Sequence, residues 1–275
     1  MTPDALPLTP PVFAILNAII EERIGLHYGL EDRAILAEKV TPRALELGFD
    51  SLLDYYYFLR YDPGGAAEFH ALTDGLVVNE TYFFREPAPL RLLADQLLAP
   101  MVAEGRRPRV WCAACSTGEE PLTLAMMLDE RGLLDEVDLV ASDLSERALG
   151  VARRGVYGKR ATRALPAGVI GRWLEQQGAE VAAAVRLQQA ISWRKVNLLD
   201  PEATAALGCF DAILCRNVLI YFRGKMVKSV VARLGGALLP TGWLLVGISE
   251  SLLRFGTEFT CEERAGVFLY RKADP

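Results

Sequence analysis

The sequence predicts an α/β protein: a Rossmann-like sheet preceded by a small all-helical amino-terminal domain. Three observations carry that reading. Arg109-Val110-Trp111-Cys112-Ala113-Ala114-Cys115 reads as a short apolar strand, followed by the polar turn Ser116-Thr117-Gly118-Glu119-Glu120-Pro121 and a helical pattern through Leu122, Ala125, Met126 and Leu128. Phe210 to Phe222 is a run of buried-strand residues that breaks at Arg216-Asn217, and open α/β sheets bind ligands beyond the carboxyl ends of their strands. Residues 11 to 75 show only helical periodicity.

In order along the chain, Val12, Ile15, Leu16, Ile19 and Ile20, then Ile35, Leu36 and Val40, then Leu52, Leu53, Tyr56 and Leu59 mark the amino-terminal helices. Gly25 to Gly29, Gly48 to Asp50 and Asp62-Pro63-Gly64-Gly65 separate them. Tyr55-Tyr56-Tyr57-Phe58 is read as packing between helices. The expected domains are 1–76 helical, 77–89 linker and 90–275 sheet. In the linker, Asn79, Thr81 and Arg85 could share one side of an extended segment anchored by Phe83 and Phe84; alternatively Pro87 opens a helix and Arg85 makes a surface ion pair.

A helix to about Met101 follows, then the first strand and its helix, then a strand from Val137 to Ala141 with Asp143 at its end. That carboxylate falls about 25 residues after the first turn, where it could accept ribose hydroxyls or cap the next helix together with Ser145. Arg153 and Arg154 complement the dipole at the carboxyl end of the second helix. Strands are expected near Val185 to Leu187 and from Ile191 to Val196, the latter running into Asn197-Leu198. Lys225 to Leu239 reads as an amphipathic helix and Trp243 to Ile248 as a strand. Phe259 to Cys261 and Val267 to Tyr270 read as a closing antiparallel pair.

Composition narrows the chemistry. The 275 residues are half hydrophobic and a quarter charged, as in an ordinary globular chain, with no run long enough to span a membrane. Met1-Thr2-Pro3-Asp4 has neither a basic nor an apolar leader pattern, so a cytoplasmic protein is expected. The only histidines, His27 and His70, lie in the helical part, which disfavours imidazole catalysis in the sheet domain. Cys112 and Cys115 form a C-x-x-C without a second pair or histidine partner; buried thiols, not a metal or redox site, are expected. Residues 1–75 hold 5 Lys+Arg against 12 Asp+Glu, a balance of −7, and the rest of the chain balances at +2, so neither part has the basic excess of a nucleic-acid binder.

The turn after the first strand has one glycine and two glutamates. It lacks the G-x-G-x-x-G series that lets a pyrophosphate approach, and its carboxylates repel phosphate. They suit a ligand with cationic groups, such as the ammonium and sulfonium of S-adenosylmethionine, which points to methyl transfer.

Asn79-Glu80-Thr81-Tyr82-Phe83-Phe84-Arg85-Glu86, Trp111 to Pro121, Ala141-Ser142-Asp143-Leu144, Gly155-Val156-Tyr157, Val196-Asn197-Leu198-Leu199 and Phe210 to Phe222 together resemble the CheR family of chemotaxis receptor methyltransferases. The resemblance implies a class I methyltransferase sheet with a small β insertion within 158–195, S-adenosylmethionine as methyl donor and S-adenosylhomocysteine as product. It implies protein-glutamate O-methylation, with chemoreceptor glutamates as acceptors and no metal, in a monomer that neither binds nucleic acid nor enters a membrane. By motif position, Asn79, Thr81, Arg85, Glu120, Asp143, Asn197, Leu198, Arg216 and Asn217 would contact the cofactor, and Arg85 and Tyr221 would lie nearest its reactive methyl.

The family's basic second helix, taken to meet the receptor, corresponds to Glu31 to Arg43. Here it has three cations and three carboxylates, and Pro42 is expected to interrupt it; Lys39 and Arg43, four apart, could still face substrate. The −7 balance opposes steering toward an acidic partner. The chain ending at Pro275 leaves no appended helical-repeat or response-regulator domain in this reading. Rival readings are a methyltransferase for another protein or small carboxylate, and a non-catalytic S-adenosylmethionine-binding signalling protein. A nicotinamide-dependent dehydrogenase is opposed by the single-glycine turn.

Overall fold

A computed structural model describes residues 6–272. Contacts divide them into two units: the described residues up to Val78 together with Tyr221–Met226, and Asn79–Ile220 together with Val227 onward. Residues 79–86, read from sequence as part of a linker, thus belong to the sheet unit.

The first unit is built on four helices, α1 (Pro10–Ile24), α2 (Arg33–Glu46), α3 (Leu52–Tyr61) and α4 (Gly65–Leu76). Leu16, Ile20, Leu36, Val40, Leu59 and Leu72 are almost fully buried in it. Ser51 caps α3 by accepting from the Leu53 and Asp54 amides. Pro42 does not interrupt α2, contrary to expectation. Glu38 and Pro42 both lie on the exposed face, where water can take the carbonyl that proline cannot serve. The aromatic run is only partly core: Tyr55 is buried, whereas Tyr57 is exposed and stacks on Tyr61 with ring centroids 6.0 Å apart.

The second unit opens with one long helix of two α segments, α5 (Pro87–Leu92) and α6 (Ala99–Ala103), joined by a π-helical stretch from Leu93 to Leu98. Its main sheet contains β1 (Arg109–Ala113), β2 (Asp138–Asp143), β6 (Ile191–Lys195), β7 (Phe210–Cys215), β8 (Leu238–Val246), β9 (Phe259–Arg264) and β10 (Val267–Lys272). The strand order is β6-β2-β1-β7-β8-β10-β9. The first five are parallel, and β10 runs antiparallel to both its neighbours. Helices α7 (Glu119–Glu130) and α8 (Glu146–Arg154) follow β1 and β2. Leu122, Ala125, Met126 and Leu149 join Val110, Cys112, Leu139, Ala141 and Leu214 in one core cluster. On Trp111, Nε1 donates to Ser142 Oγ at 2.8 Å, which satisfies the indole in the dry interior.

A separate three-stranded sheet in the order β3-β5-β4 uses β3 (Val156–Tyr157), β4 (Leu174–Gln177) and β5 (Glu180–Ala183). The strand expected near Val185 to Leu187 is instead helix α9 (Val185–Gln189), with Leu187 buried and Val185 exposed; strand pairing ends two residues earlier, at Ala183. Helix α10 (Pro201–Ala205) is capped by Asp200, and α11 (Gly224–Ala237) buries Val227, Val230, Val231 and Leu234. Strand β8 begins earlier than expected, at Leu238, and ends before Ile248, which is exposed.

Candidate functional site

Sheet order reverses between β1 and β7, since the chain runs outward to β2 and β6 on one side and to β8 on the other. That reversal opens a crevice at the carboxyl ends of β1 and β7. Arg216, the residue after β7, has a side chain only 1% exposed, and its Nη1 donates to Glu120 Oε2 of α7 at 2.6 Å across this switch point. Its Nη2 donates to Glu86 Oε2 at 3.0 Å and to the carbonyls of Arg85 and Glu86 at 3.2 Å each. A guanidinium stays charged in such a place, and two carboxylates with two carbonyls repay much of its lost hydration. Burial is the larger influence on Glu120 and pushes its carboxyl upward, with Arg216 opposing. The Arg216 Nε, also buried, has no hydrogen-bond partner among the described residues, so one donor remains for a ligand acceptor.

A second cluster joins the tips of β1 and β2. Asp143 accepts from the Ser116 amide at 2.7 Å and from the Ser145 amide at 2.8 Å, and Ser116 Oγ donates to Asn79 Oδ1 at 3.2 Å. Of the two sequence readings of Asp143, the contacts show the local one: it is a turn residue ahead of the Ser145 cap of α8. The Val196 amide donates to the Asp143 carbonyl at 3.0 Å, placing Asn197 and Leu198 next along that rim. Gly118 turns the chain into α7 with φ 93°, and a Cβ there would stand 2.8 Å from Ala152 Cβ and 2.9 Å from the Trp193 ring. Only glycine satisfies both demands.

Backbone strain concentrates on this rim. Among the described residues, seven non-glycine positions have positive φ, and five of them (Phe84, Glu86, Ala114, Ser116 and Asn217) border the crevice. Each such conformation costs about 1–3 kcal/mol and persists where surrounding structure over-determines it. At Asn217 the determinant is Glu250, a buried residue that sequence reasoning missed. Its Oε2 accepts from the Asn217 amide at 2.6 Å and the Gly247 amide at 2.7 Å, and its Oε1 accepts from Ile220 at 3.3 Å. A Cβ on Gly247 would lie 2.6 Å from that carboxylate. Ser249-Glu250 follows the end of β8, so the rule that pointed to other strand ends could have found it.

The remaining sequence-derived candidates fall as follows. Thr81 and Arg85 are half-buried, and Arg85 Nη1 donates to the Glu80 carbonyl at 2.8 Å. Tyr221 groups with the helical unit, where its carbonyl accepts from the His27 amide at 3.0 Å. Lys39 and Arg43 are in that unit as well, engaged in internal contacts: Lys39 Nζ donates to the Gly75 and Leu76 carbonyls at 3.0 and 2.7 Å, and Arg43 pairs with Glu68 and Glu46. Glu119 stands beside Glu120 in the first turn of α7. It is buried, accepts from Thr117 Oγ1 at 2.7 Å, and is pushed upward by desolvation. The thiols of Cys112 and Cys115 are buried, and desolvation raises both well above the usual range. Another cleft, of about 780 Å³, lies at the opposite end of the sheet beside Arg107, Arg109, Asp138 and Ile191. Its Arg107 is paired with Asp138, and its Arg109 donates to the Cys209 and Leu207 carbonyls.

The crevice therefore carries an acidic turn, a carboxylate at the tip of β2 and a buried guanidinium with a spare donor among the described residues. That donor set fits a ligand with cationic, hydroxyl and carboxylate groups, and S-adenosylmethionine has all three. Comparison with known proteins agrees. Residues 79–267 match the family model described as CheR methyltransferase, SAM binding domain. Chemotaxis protein methyltransferase 1 of Pseudomonas aeruginosa is 30% identical over 269 residues, covering 94% of this chain and 97% of that protein. A chemotaxis protein methyltransferase of Vibrio parahaemolyticus is 33% identical over 93% of this chain and 94% of its own length. A further P. aeruginosa relative, named "Probable biofilm formation methyltransferase WspC", is 34% identical over 86% of this chain and 56% of its own length. The chain belongs to the CheR family of S-adenosylmethionine-dependent methyltransferases.

Proposed function

We propose that the protein methylates the side-chain carboxylate of glutamates in the cytoplasmic domain of a chemoreceptor or chemoreceptor-like protein. The observation that carries this reading is that, among the described residues, the carboxylates Glu120 and Asp143 of the crevice rim are already engaged, Glu120 by Arg216 and Asp143 by two amides, while the chain's two histidines are elsewhere in the sequence. A glutamate acceptor, with a reference pKa near ~4.3, is already ionised at neutral pH and needs none.

Bound S-adenosylmethionine supplies an activated methyl on a sulfonium, and the protein's task is alignment. Holding a carboxylate oxygen in line with that methyl can lower the barrier by about 7–11 kcal/mol. In this reading Asp143 accepts from the ribose, Glu120 faces the cationic end, and the segment Asn197-Leu198 frames the adenine. Asn79, Thr81, Arg216 and Asn217 complete the cofactor contacts. Arg85 holds the incoming carboxylate through charge-assisted hydrogen bonds.

Transfer of labelled methyl to receptor cytoplasmic fragments tests the proposal, with base-labile label expected for a glutamyl ester. A base-stable product, or turnover unchanged in Arg85→Ala, contradicts it. A second reading, a receptor-like target outside chemotaxis, draws on the acidic helical unit and on the WspC relative. Preference for a less acidic acceptor fragment would favour it.

A further inference from the structure

Beside Arg85 lies a cluster that the cofactor does not require. Glu80 extends its carboxylate between two guanidiniums, accepting from Arg163 Nη2 at 2.6 Å on Oε1 and from Arg160 Nη2 on Oε2. The two arginines stand in the turns after β3, and these turns are tied to the Arg85 segment because the Phe83 amide donates to the Ala161 carbonyl at 2.9 Å. Arg163 is held in place twice more: its Nη1 donates to the Arg160 carbonyl at 2.7 Å, and its guanidinium lies 3.7 Å from the centroid of the Tyr82 ring. Arg85 shares that ring at 5.8 Å and donates to the Glu80 carbonyl. Two guanidiniums thus gather on the Glu80 carboxylate while Arg85 holds its backbone carbonyl, and the cluster remains accessible, with side-chain exposures of 78% for Arg160, 38% for Arg163 and 34% for Glu80.

We infer that Arg160 and Arg163 form a carboxylate seat for the protein acceptor: an acidic side chain about one helical turn from the methylated glutamate displaces Glu80 and docks there. The inference rests on the proposed glutamate acceptor. Glu80 shows that the seat takes a carboxylate, one oxygen to each guanidinium. Two guanidiniums facing a single carboxylate carry an excess of positive charge, so the seat favours an acidic over a neutral occupant when Glu80 is exchanged. Exchange is easy because exposed ion pairs contribute only about 0–1 kcal/mol, so an incoming carboxylate replaces Glu80 at little cost. Arg160 and Arg163 are specificity-determining residues in this account, whereas Arg85 handles the reacting group. The plain alternative is that the pair only fastens the Arg85 segment to the turn.

The two roles separate by kinetics on helical receptor fragments bearing the same acceptor glutamate with either Asp or Asn one turn away. For the unmodified enzyme, KM is lower on the Asp fragment. The double variant Arg160→Gln/Arg163→Gln raises KM on the Asp fragment about tenfold while kcat, the Asn fragment and S-adenosylmethionine affinity stay unchanged. Glu80→Gln, which vacates the seat, acts in the opposite direction and lowers KM on the Asp fragment. Equal KM on the two fragments, or losses in the double variant that are the same on both and accompanied by weaker cofactor binding, overturn the seat and leave a fastening role. If the unmodified enzyme methylates no carboxylate on either fragment, the proposed function falls and takes the seat with it.

Discussion

Two arginine–carboxylate clusters in this molecule look alike on paper and differ in what they are for. In the helical unit Arg43 pairs with Glu68 and Glu46, and Tyr55 donates to Glu68 at 2.6 Å. In the sheet unit Arg216 pairs with Glu120 and Glu86. Every Glu68 contact closes on packed helices in ordinary conformations. Arg216, by contrast, stands at a topological switch point, keeps an Nε with no partner among the described residues, and is flanked by Glu86 and Asn217 with positive φ. A buried ion pair alone is weak evidence of function. Strain and an unfilled donor at strand ends are what separate a ligand site from a staple.

Arg216→Ala tests that contrast most severely. It strands Glu120 and Glu86 without their partner, so a loss of about 3–5 kcal/mol in denaturant unfolding is expected, together with loss of S-adenosylmethionine binding by calorimetry. Retention of cofactor affinity would reduce Arg216 to a staple. Glu250→Gln comes next. The amide keeps one uncharged acceptor oxygen for Asn217 and Gly247 but turns an NH2 toward the Ile220 amide, so cofactor affinity should fall about tenfold while the helical unit is unaffected. Arg43→Ala should behave in the opposite sense, costing about 1–3 kcal/mol of stability with cofactor affinity within about twofold of the parent.

The smallest effect is a pH dependence at Glu119. Its carboxyl is raised in the folded state by burial, so folded protein holds that proton more tightly than unfolded chain. Its contribution is favourable at and below the ordinary carboxylate range and is lost as pH rises through the elevated value. Glu119→Gln should therefore match the parent near pH 4 and exceed it by up to about 1 kcal/mol at pH 8 in thermal unfolding. A variant less stable at both pH values would contradict this.

Much of this was legible in the sequence because the signals were local. Apolar runs ending in polar residues located β1, β2, β6 and β7, and the tips of the first two and the last supplied Glu120, Asp143 and Arg216. What stayed hidden depends on three-dimensional pairing. Val185 to Leu187 has strand-like residues but lies beyond the end of β5 pairing, so it coils into α9. Pro42 is tolerated because its face is exposed, which composition does not reveal. Lys39 and Arg43 have the spacing of a shared face, yet their partners Gly75, Leu76 and Glu68 lie on a different helix or at its end. Glu250 escaped because its importance is to a loop 33 residues away, at Asn217.

The most direct measurement follows the methyl group itself. The enzyme is incubated with methyl-labelled S-adenosylmethionine and a receptor cytoplasmic fragment, and the protein-bound label is then exposed to alkali. The expected result is label that is released as methanol and is absent when acceptor glutamates are replaced by alanine. Label that resists alkali, or persists without those glutamates, would contradict it.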